Sequence, residues 1–355
     1  MNENYGYTSG PGDYYEEYTN EKTKEARSTF SRLFLALFSL NGIAYAAVLL
    51  IQIIMILVIG DIQKTNDILT NPYIEWLVGV GPIYLLGVPL FYLITRNMKT
   101  APLEKKKLNF SDFLIYLLIC EGVMFVGNII GTSLNGVIGA IIGESVKNTT
   151  SELIESSPIF LTVIFAVIIG PVIEEFIFRK IMISRLARYG EGVAIVVSSV
   201  AFGLFHGNFY QFFYAALLGA VLGYVALKTG NWIYTVIMHS IVNLLGSVAV
   251  IPVIKASDRL AEVGENAVSG EAFDAIGMIQ DTMLISSYAI IQYAIYICGL
   301  VLLYNYFRNK KFKLSPICEY RIPRDRVASS VILNVGAILY LVLSLGIFGL
   351  SIFAV

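Results

Sequence analysis

Charged residues and histidines are scarce in this sequence of 355 residues. Only 14% of the residues are charged, and there are two histidines. Soluble domains carry about a quarter charged residues. Here 56% of the residues are hydrophobic, and the mean hydropathy is +0.71. This composition excludes an ordinary soluble enzyme and is typical of a polytopic membrane protein.

Cysteine pairs and a basic domain are also missing. Cys120, Cys298 and Cys318 are far apart and form no Cys-x-x-Cys pair, so neither a disulfide framework nor a thiolate metal site is indicated. No basic domain with interleaved aromatic residues occurs, and we expect no nucleic-acid partner. Residues 1–28 are polar and lack the basic start and apolar core of a signal peptide. They are predicted to form a disordered cytoplasmic tail.

Apolar runs long enough to span a bilayer dominate the rest of the chain. The sequence predicts an all-α transmembrane bundle of about nine helices, because no strand pattern competes with these runs. The fifth run reaches only about 20 Å at 1.5 Å per residue, less than the roughly 30 Å hydrocarbon core. The turn at 207–209 is therefore expected to dip into the membrane, beside protein or a cavity. The runs are 33–59, 74–94, 113–142, 159–183, 193–205, 209–227, 232–254, 283–307 and 327–353.

Loops rich in lysine and arginine alternate along the chain with loops that are poor in them, and this alternation predicts the orientation of the protein in the membrane. The basic segments are assigned to the cytoplasm, which puts the N-terminus inside and the C-terminus outside. The loop at 255–282 is acidic and is predicted to be extracytoplasmic. The basic segments contain Lys22, Lys24, Arg27, Arg32, Arg96, Lys99, Lys105, Lys106, Lys107, Arg185, Arg188, Arg308, Lys310, Lys311, Lys313, Arg321, Arg324 and Arg326.

Two glutamates and an arginine interrupt the fourth apolar run. Charged side chains inside a bilayer are costly, so they are usually paired or functional. On a helix, Glu175 and Arg179 are i and i+4 and can pair, whereas Glu174 lies about 100° away from that face. An unpaired carboxylate in poorly hydrated surroundings is a candidate general base. The alternative is a structural ion pair beside an accidental second acid.

The two histidines also fall in apolar segments. Phe202 and His206 end the fifth segment, and His239 and Asn243 share one face of the seventh. A single intramembrane histidine more often forms a hydrogen bond to a neighbouring helix. Here two histidines and an asparagine occur within about seventy residues of the glutamate pair, which favours one shared polar site. Glu121, in the third segment, lies either near the inner interface or against a cavity.

Three motifs on successive membrane segments resemble the CPBP intramembrane glutamic protease family. That family includes type II CAAX prenyl proteases and the bacteriocin-processing or immunity (Abi) proteins. The resemblance covers about residues 152–254 and implies an all-helical fold, a polar cavity within the membrane, no covalent intermediate, no cofactor and no required metal. The motifs are Glu-Glu-x-x-x-Arg (Glu174, Glu175, Arg179), Phe-x-x-x-His (Phe202, His206) and His-x-x-x-Asn (His239, Asn243).

The residues fit peptide hydrolysis, which needs an activated water, a stabilised oxyanion and a proton for the leaving amine. Glu174, helped by His206, is predicted to activate the water. His239 and Asn243 are predicted to donate to the oxyanion. The supporting residues are Glu175, Arg179 and Phe202. No Gly-x-Ser-x-Gly elbow occurs.

Two alternatives stay open at this point. Glu174, His206 and His239 could bind zinc in an intramembrane metalloprotease, although the His-Glu-x-x-His signature is missing. The chain could also be a non-catalytic membrane immunity or scaffold protein.

The sequence predicts five regions: the tail 1–28, a three-helix membrane region 29–151, a protease core 152–254, the acidic loop 255–282 and a two-helix region 283–355. The expected substrate is a membrane-protein segment or a prenylated or leader-type peptide. The expected location is a bacterial plasma membrane.

Overall fold

The computed structural model describes residues 11–269, 275–316 and 318–353, with side chains from residue 15 onward except those of 264–269. Within these ranges there is no strand, which confirms the all-α prediction. Eight helices in this part of the chain are long and apolar enough to cross a membrane, and a shorter apolar helix lies among them. The chain is a multi-pass integral membrane protein.

We number these helices α1 to α9. The predicted apolar runs fall on them to within one residue, except for the start of the last run. The bounds are α1 Pro11–Ile59, α2 Pro72–Thr95, α3 Phe110–Ile142, α4 Ile159–Tyr189, α5 Glu191–Phe205, α6 Phe209–Thr229, α7 Ile233–Val263, α8 Ala275–Arg308 and α9 Val335–Ile352. A short helix, Val327–Val331, covers the start of the last predicted run.

Two segments are more helical than the sequence predicts. α1 begins at Pro11, so residues 11–28 form a helix in place of the predicted disordered tail, and the rest of that tail lies outside the described residues. Contacts with distant segments hold this extension: Glu25 pairs with Arg188 at 2.8 Å. The helix of α7 continues to Ser269 and takes up much of the predicted acidic loop. Glu271 and Asp274 of that loop lie outside the described residues.

The segments predicted to be cytoplasmic meet at one end of the bundle. Arg188, at the end of α4, contacts Glu25 of α1 at 2.8 Å and Glu319 of the α8–α9 connection at 2.6 Å. Lys99, after α2, lies 3.6 Å from Glu25. Helices that cross in alternating directions bring alternate connections to the same end, and these contacts agree with that pattern.

Cysteine labelling tests the predicted orientation. In a variant with Cys120→Ala, Cys298→Ala and Cys318→Ala, we expect an impermeant maleimide added outside intact cells to label Glu262→Cys and to leave Lys311→Cys unlabelled. Both positions are exposed in the structure. Lysed cells are the control, in which both cysteines should react. The reverse pattern in intact cells would overturn the orientation, and labelling of both would overturn the helix count.

Glycines bring α3 and α6 into backbone contact. A Cβ on Gly127 would collide with the backbone of Tyr214, and one on Gly131 would lie 2.6 Å from the carbonyl oxygen of Phe209. Small residues allow such close approach between membrane helices. α6 also packs along α5, so it connects α3 with the helix that carries Phe202 and His206.

The turn between α5 and α6 is covered by α9. Gly207 has φ +70°, and the Asn208 side chain caps α6 by accepting a hydrogen bond from the Gln211 N–H at 2.9 Å. The ring centroids of Phe209 and Phe348 are 4.7 Å apart. A turn at the predicted membrane depth needs cover from protein or a cavity, and α9 packs against this turn.

α4 departs from regular α-helix on both sides of the glutamates. Val163–Ile169 and Phe176–Ile183 are π-helical, and Gly170–Glu175 between them is α-helical. Pro171 has no N–H, and its ring would clash with the carbonyl four residues earlier in a regular helix. The wider turn before it relieves that clash. Such π turns often occur at functional sites because they change the direction of neighbouring side chains.

Candidate active site

Glu175 and Arg179 form the ion pair that their i, i+4 spacing predicts. Arg179 Nε lies 3.1 Å from Glu175 Oε2, and neither side chain is accessible to solvent. The guanidinium also packs on two aromatic rings, with Cζ 4.6 Å from the centroid of Phe202 and 5.9 Å from that of Phe178. Such cation–π contacts favour a buried arginine. The two charges therefore compensate each other inside the bundle.

Glu174 differs from its neighbour in accessibility. Its side chain is 20% exposed, and its Oε2 lies 3.7 Å from His239 Nε2. A methyl group on Gly170 would lie 3.9 Å from Glu174 Oε1 and 3.8 Å from Tyr84 Oη. The Glu174 carboxylate and the Tyr84 hydroxyl thus border the same space. Glu174 is the carboxylate of the pair that water can reach.

His239 connects the two glutamates. Its Nδ1 lies 3.0 Å from Glu175 Oε1, and its Nε2 faces Glu174 Oε2 at 3.7 Å. A carboxylate at Nδ1 holds a proton on that nitrogen and leaves Nε2 to exchange one. We call Arg179, Glu175, His239 and Glu174 the charged row. The sequence predicts His206 as the helper of Glu174, whereas in the structure the ionic contact of Glu174 is with His239.

Asn243 and His206 each donate one hydrogen bond to a backbone carbonyl. Asn243 Nδ2 donates to the Ala166 carbonyl at 2.8 Å, which leaves its second N–H available. His206 Nδ1 donates to the Phe202 carbonyl at 2.9 Å, which leaves Nε2 available. The Phe202 ring packs on both histidines, with centroid distances of 4.8 Å to His206 and 5.7 Å to His239. Phe202 therefore supports both histidines and Arg179.

A cavity of about 370 Å³ borders this region. Asn243 and Ala166 line it, whereas Glu174, His206 and His239 do not. The other walls come from α3, α6, α8 and the segment between α3 and α4. Asn243 therefore lies between the charged row and the cavity.

Two residues near the site carry no motif that marks them in the sequence. Tyr84 belongs to α2, and Tyr214 belongs to α6 and lines the cavity beside Asn243. Both reach the site through contacts between helices, and periodicity within one helix contains no signal for them. Glu121, for which the sequence allows two positions, is 5% exposed and lines the same cavity.

Among the described side chains, no three His, Cys, Asp or Glu residues converge closely enough to hold a metal ion. Glu174, His206 and His239, the ligands of the alternative zinc site, do not form such a group. The charged row joins Glu174 and His239 through an ionic contact instead, and His206 lies outside that row, hydrogen-bonded to the Phe202 carbonyl.

Comparison with known proteins supports the resemblance. Residues 156–245 match the family described as type II CAAX prenyl endopeptidase Rce1-like. The UPF0177 protein YxdF of Lactococcus lactis subsp. lactis (strain IL1403) is 33% identical over 101 residues, which are 28% of this chain and 56% of that protein. The chain thus spans about half the length of this curated relative. No solved structure matches the chain. The family match contains Glu174, Glu175, Arg179, Phe202, His206, His239 and Asn243, so the resemblance that the motifs indicate is confirmed for this segment.

Proposed function

We propose that the chain is an intramembrane endopeptidase in which Glu174 activates the attacking water. The observation that supports this most directly is the charged row, within the segment that matches the CAAX-type endopeptidase family. In this row the accessible carboxylate of Glu174 lies beside His239, and the buried Glu175–Arg179 pair orients that histidine. We expect the protein in the plasma membrane of a bacterium.

The proposed reaction begins with a water beside Glu174. Glu174 accepts a proton as the water oxygen adds to the carbonyl carbon of the substrate. The second N–H of Asn243 then donates to the oxyanion. His206 Nε2 carries no proton while Nδ1 donates to the Phe202 carbonyl, so it can accept a hydrogen bond from the attacking water. When the C–N bond breaks, the proton passes from Glu174 to the leaving amine, directly or through His239. General acid–base catalysis of this kind contributes about 10²–10⁴-fold in rate.

Each supporting residue has a positioning role in this scheme. Glu175 holds His239 in one tautomer and one orientation, and Arg179 keeps Glu175 ionised in its buried place. Phe202 fixes the planes of both histidine rings. A site held by such contacts loses little free energy to reorganisation during the reaction.

Asn243→Ala tests the oxyanion role. We expect kcat to fall about 10²–10³-fold while KM changes little, because an oxyanion donor acts mainly in the transition state. Asn243→Asp retains the shape but loses the donor, and it should be at least as inactive. A comparable rise in KM with unchanged kcat would instead assign Asn243 to substrate binding.

The substrate class follows from a comparison of membrane proteomes. Cells that produce the protein should contain new peptide termini in membrane-associated proteins or peptides, and cells that produce Glu174→Ala should lack them. Termini that depend on the protein but persist with Glu174→Ala would contradict the proposal. A chelator added to the purified protein should leave hydrolysis unchanged; activity lost to chelator and restored by zinc would favour the metalloprotease instead.

A further inference from the structure

Glu121 is a buried carboxylate that the proposed reaction does not use. It lies on α3, is 5% exposed and lines the cavity beside Asn243. Its Oε2 has one distant donor, Gln292 Nε2 at 3.5 Å. Its Oε1 is buried and accepts no hydrogen bond from the described residues. Burial of an unpaired charge is costly, so such a carboxylate favours a cationic partner.

The walls of the cavity suit a cation. No lysine, arginine or histidine is among the described residues that line it, and Glu121 is the one acidic side chain among them. Amides, hydroxyls and aromatic rings line much of the rest, beside aliphatic residues such as Met124, Ile154 and Leu245. The faces of aromatic rings attract cations. The polar members include Asn128, Thr150, Ser151, Gln211 and Gln292, and the aromatic members include Phe125, Tyr210, Tyr214, Tyr288 and Tyr296.

The cavity adjoins the proposed reaction centre. Asn243 and Ala166 both line the cavity, and Asn243 Nδ2 donates a hydrogen bond to the Ala166 carbonyl oxygen at 2.8 Å. His239 lies four residues before Asn243 on α7, a rise of about 6 Å. A peptide whose scissile carbonyl lies at Asn243 therefore has a neighbouring side chain within reach of the cavity. The volume, about 370 Å³, is within the roughly 300–1,000 Å³ of ligand pockets.

We propose that this cavity is a substrate subsite that accepts a lysine or arginine side chain near the scissile bond and pairs it with Glu121. The inference rests on the proposed endopeptidase function and specifies its substrate class: peptides with a basic residue beside the cleavage point. A cation that enters this cavity meets the buried Glu121 carboxylate, and charge pairing inside a protein is stronger than in water.

The test measures binding without turnover. The full chain carrying Glu174→Gln is placed in nanodiscs of phosphatidylcholine and phosphatidylglycerol. Two fluorescent peptides of alanine and leucine are compared that differ only in a central lysine or glutamine. The lysine peptide should bind more tightly, and Glu121→Gln in the same background should reduce the lysine-to-glutamine affinity ratio about tenfold or more, from the usual coupling of close charge pairs.

The matched control is Glu155→Gln, which removes an exposed carboxylate that does not line the cavity. This variant should leave the lysine-to-glutamine affinity ratio unchanged. Because the two peptides partition into lipid in the same way with either variant, comparing Glu121→Gln with Glu155→Gln removes that contribution. An equal ratio with and without Glu121 would overturn the inference. Loss of the lysine preference on adding phosphatidylethanolamine would also overturn it, because a lipid amine would then be the occupant.

Carbodiimide crosslinking gives a second result that does not depend on how well Glu121→Gln folds. The reagent joins a lysine amine to a carboxylate in direct contact, and we expect the lysine peptide to be joined to Glu121 of the protein. Crosslinks confined to exposed acids such as Glu155 would contradict the subsite. Failure of the proposed mechanism is a separate result: full activity of Glu174→Gln would show that Glu174 is not the base, whereas the crosslink between the lysine peptide and Glu121 tests the subsite independently.

Discussion

Glu174→Gln is expected to reduce peptide hydrolysis by about 10²–10⁴-fold, the usual contribution of a general base. Glutamine keeps the shape of the side chain and loses its basicity. Glu174 is partly exposed and lies outside the Arg179–Glu175 ion pair, so the substitution should leave folding intact. The measurement is the initial rate of hydrolysis of a peptide identified from the proteome comparison, with purified protein in nanodiscs.

Glu155→Gln is the matched control for this substitution. It makes the same chemical change at an exposed position, and we expect wild-type rates. Thermal unfolding of both variants should match that of the parent. Full activity of Glu174→Gln would end the proposal that Glu174 is the base. An inactive parent that still binds the peptide would instead favour the immunity-type alternative.

Arg179→Ala is expected to lower both stability and activity. Removal of one partner of a buried pair leaves the other charge uncompensated, which typically costs about 3–5 kcal/mol. Glu175 has no solvent access, so it has no water to replace the guanidinium. The measurements are the yield of folded protein and the free energy of unfolding by denaturant in detergent micelles.

Lys180→Ala is the neighbouring control, because Lys180 is exposed and its removal should change the free energy of unfolding little. A double variant separates the two roles of the pair. Arg179→Met with Glu175→Gln removes both charges, so stability should largely return. Activity should stay low, because His239 then lacks the carboxylate at its Nδ1. Arg179→Ala as stable as Lys180→Ala would contradict the buried-pair assignment.

The difference between Glu174 and Glu175 was predictable from spacing alone. The i, i+4 relation to Arg179 predicts which carboxylate is paired, and the structure gives 0% exposure for Glu175 against 20% for Glu174. The partners of the two histidines were not predictable in this way. His239 lies 64 residues after Glu175, so their contact depends on how α4 and α7 pack.

The N-terminal segment gives the converse case. Its composition is that of a solvated tail, yet α1 begins at Pro11, because Glu25 and Thr23 have partners in Arg188 and Tyr320. Local composition predicts disorder when the segment alone cannot bury enough apolar surface. It contains no information about partners that lie hundreds of residues away in the sequence.

The sequence by itself determined the membrane location, the positions of the apolar segments and the motif residues, because hydropathy and i, i+4 spacing are local properties. Only the tertiary structure decided that His239 lies between the two glutamates and that Asn243 bonds Ala166. It also decided that Glu121 faces a cavity and that Tyr84 borders Glu174. These contacts join different helices. Their geometry depends on the angles and glycine-mediated distances at which the helices pack, which periodicity along a single helix does not specify.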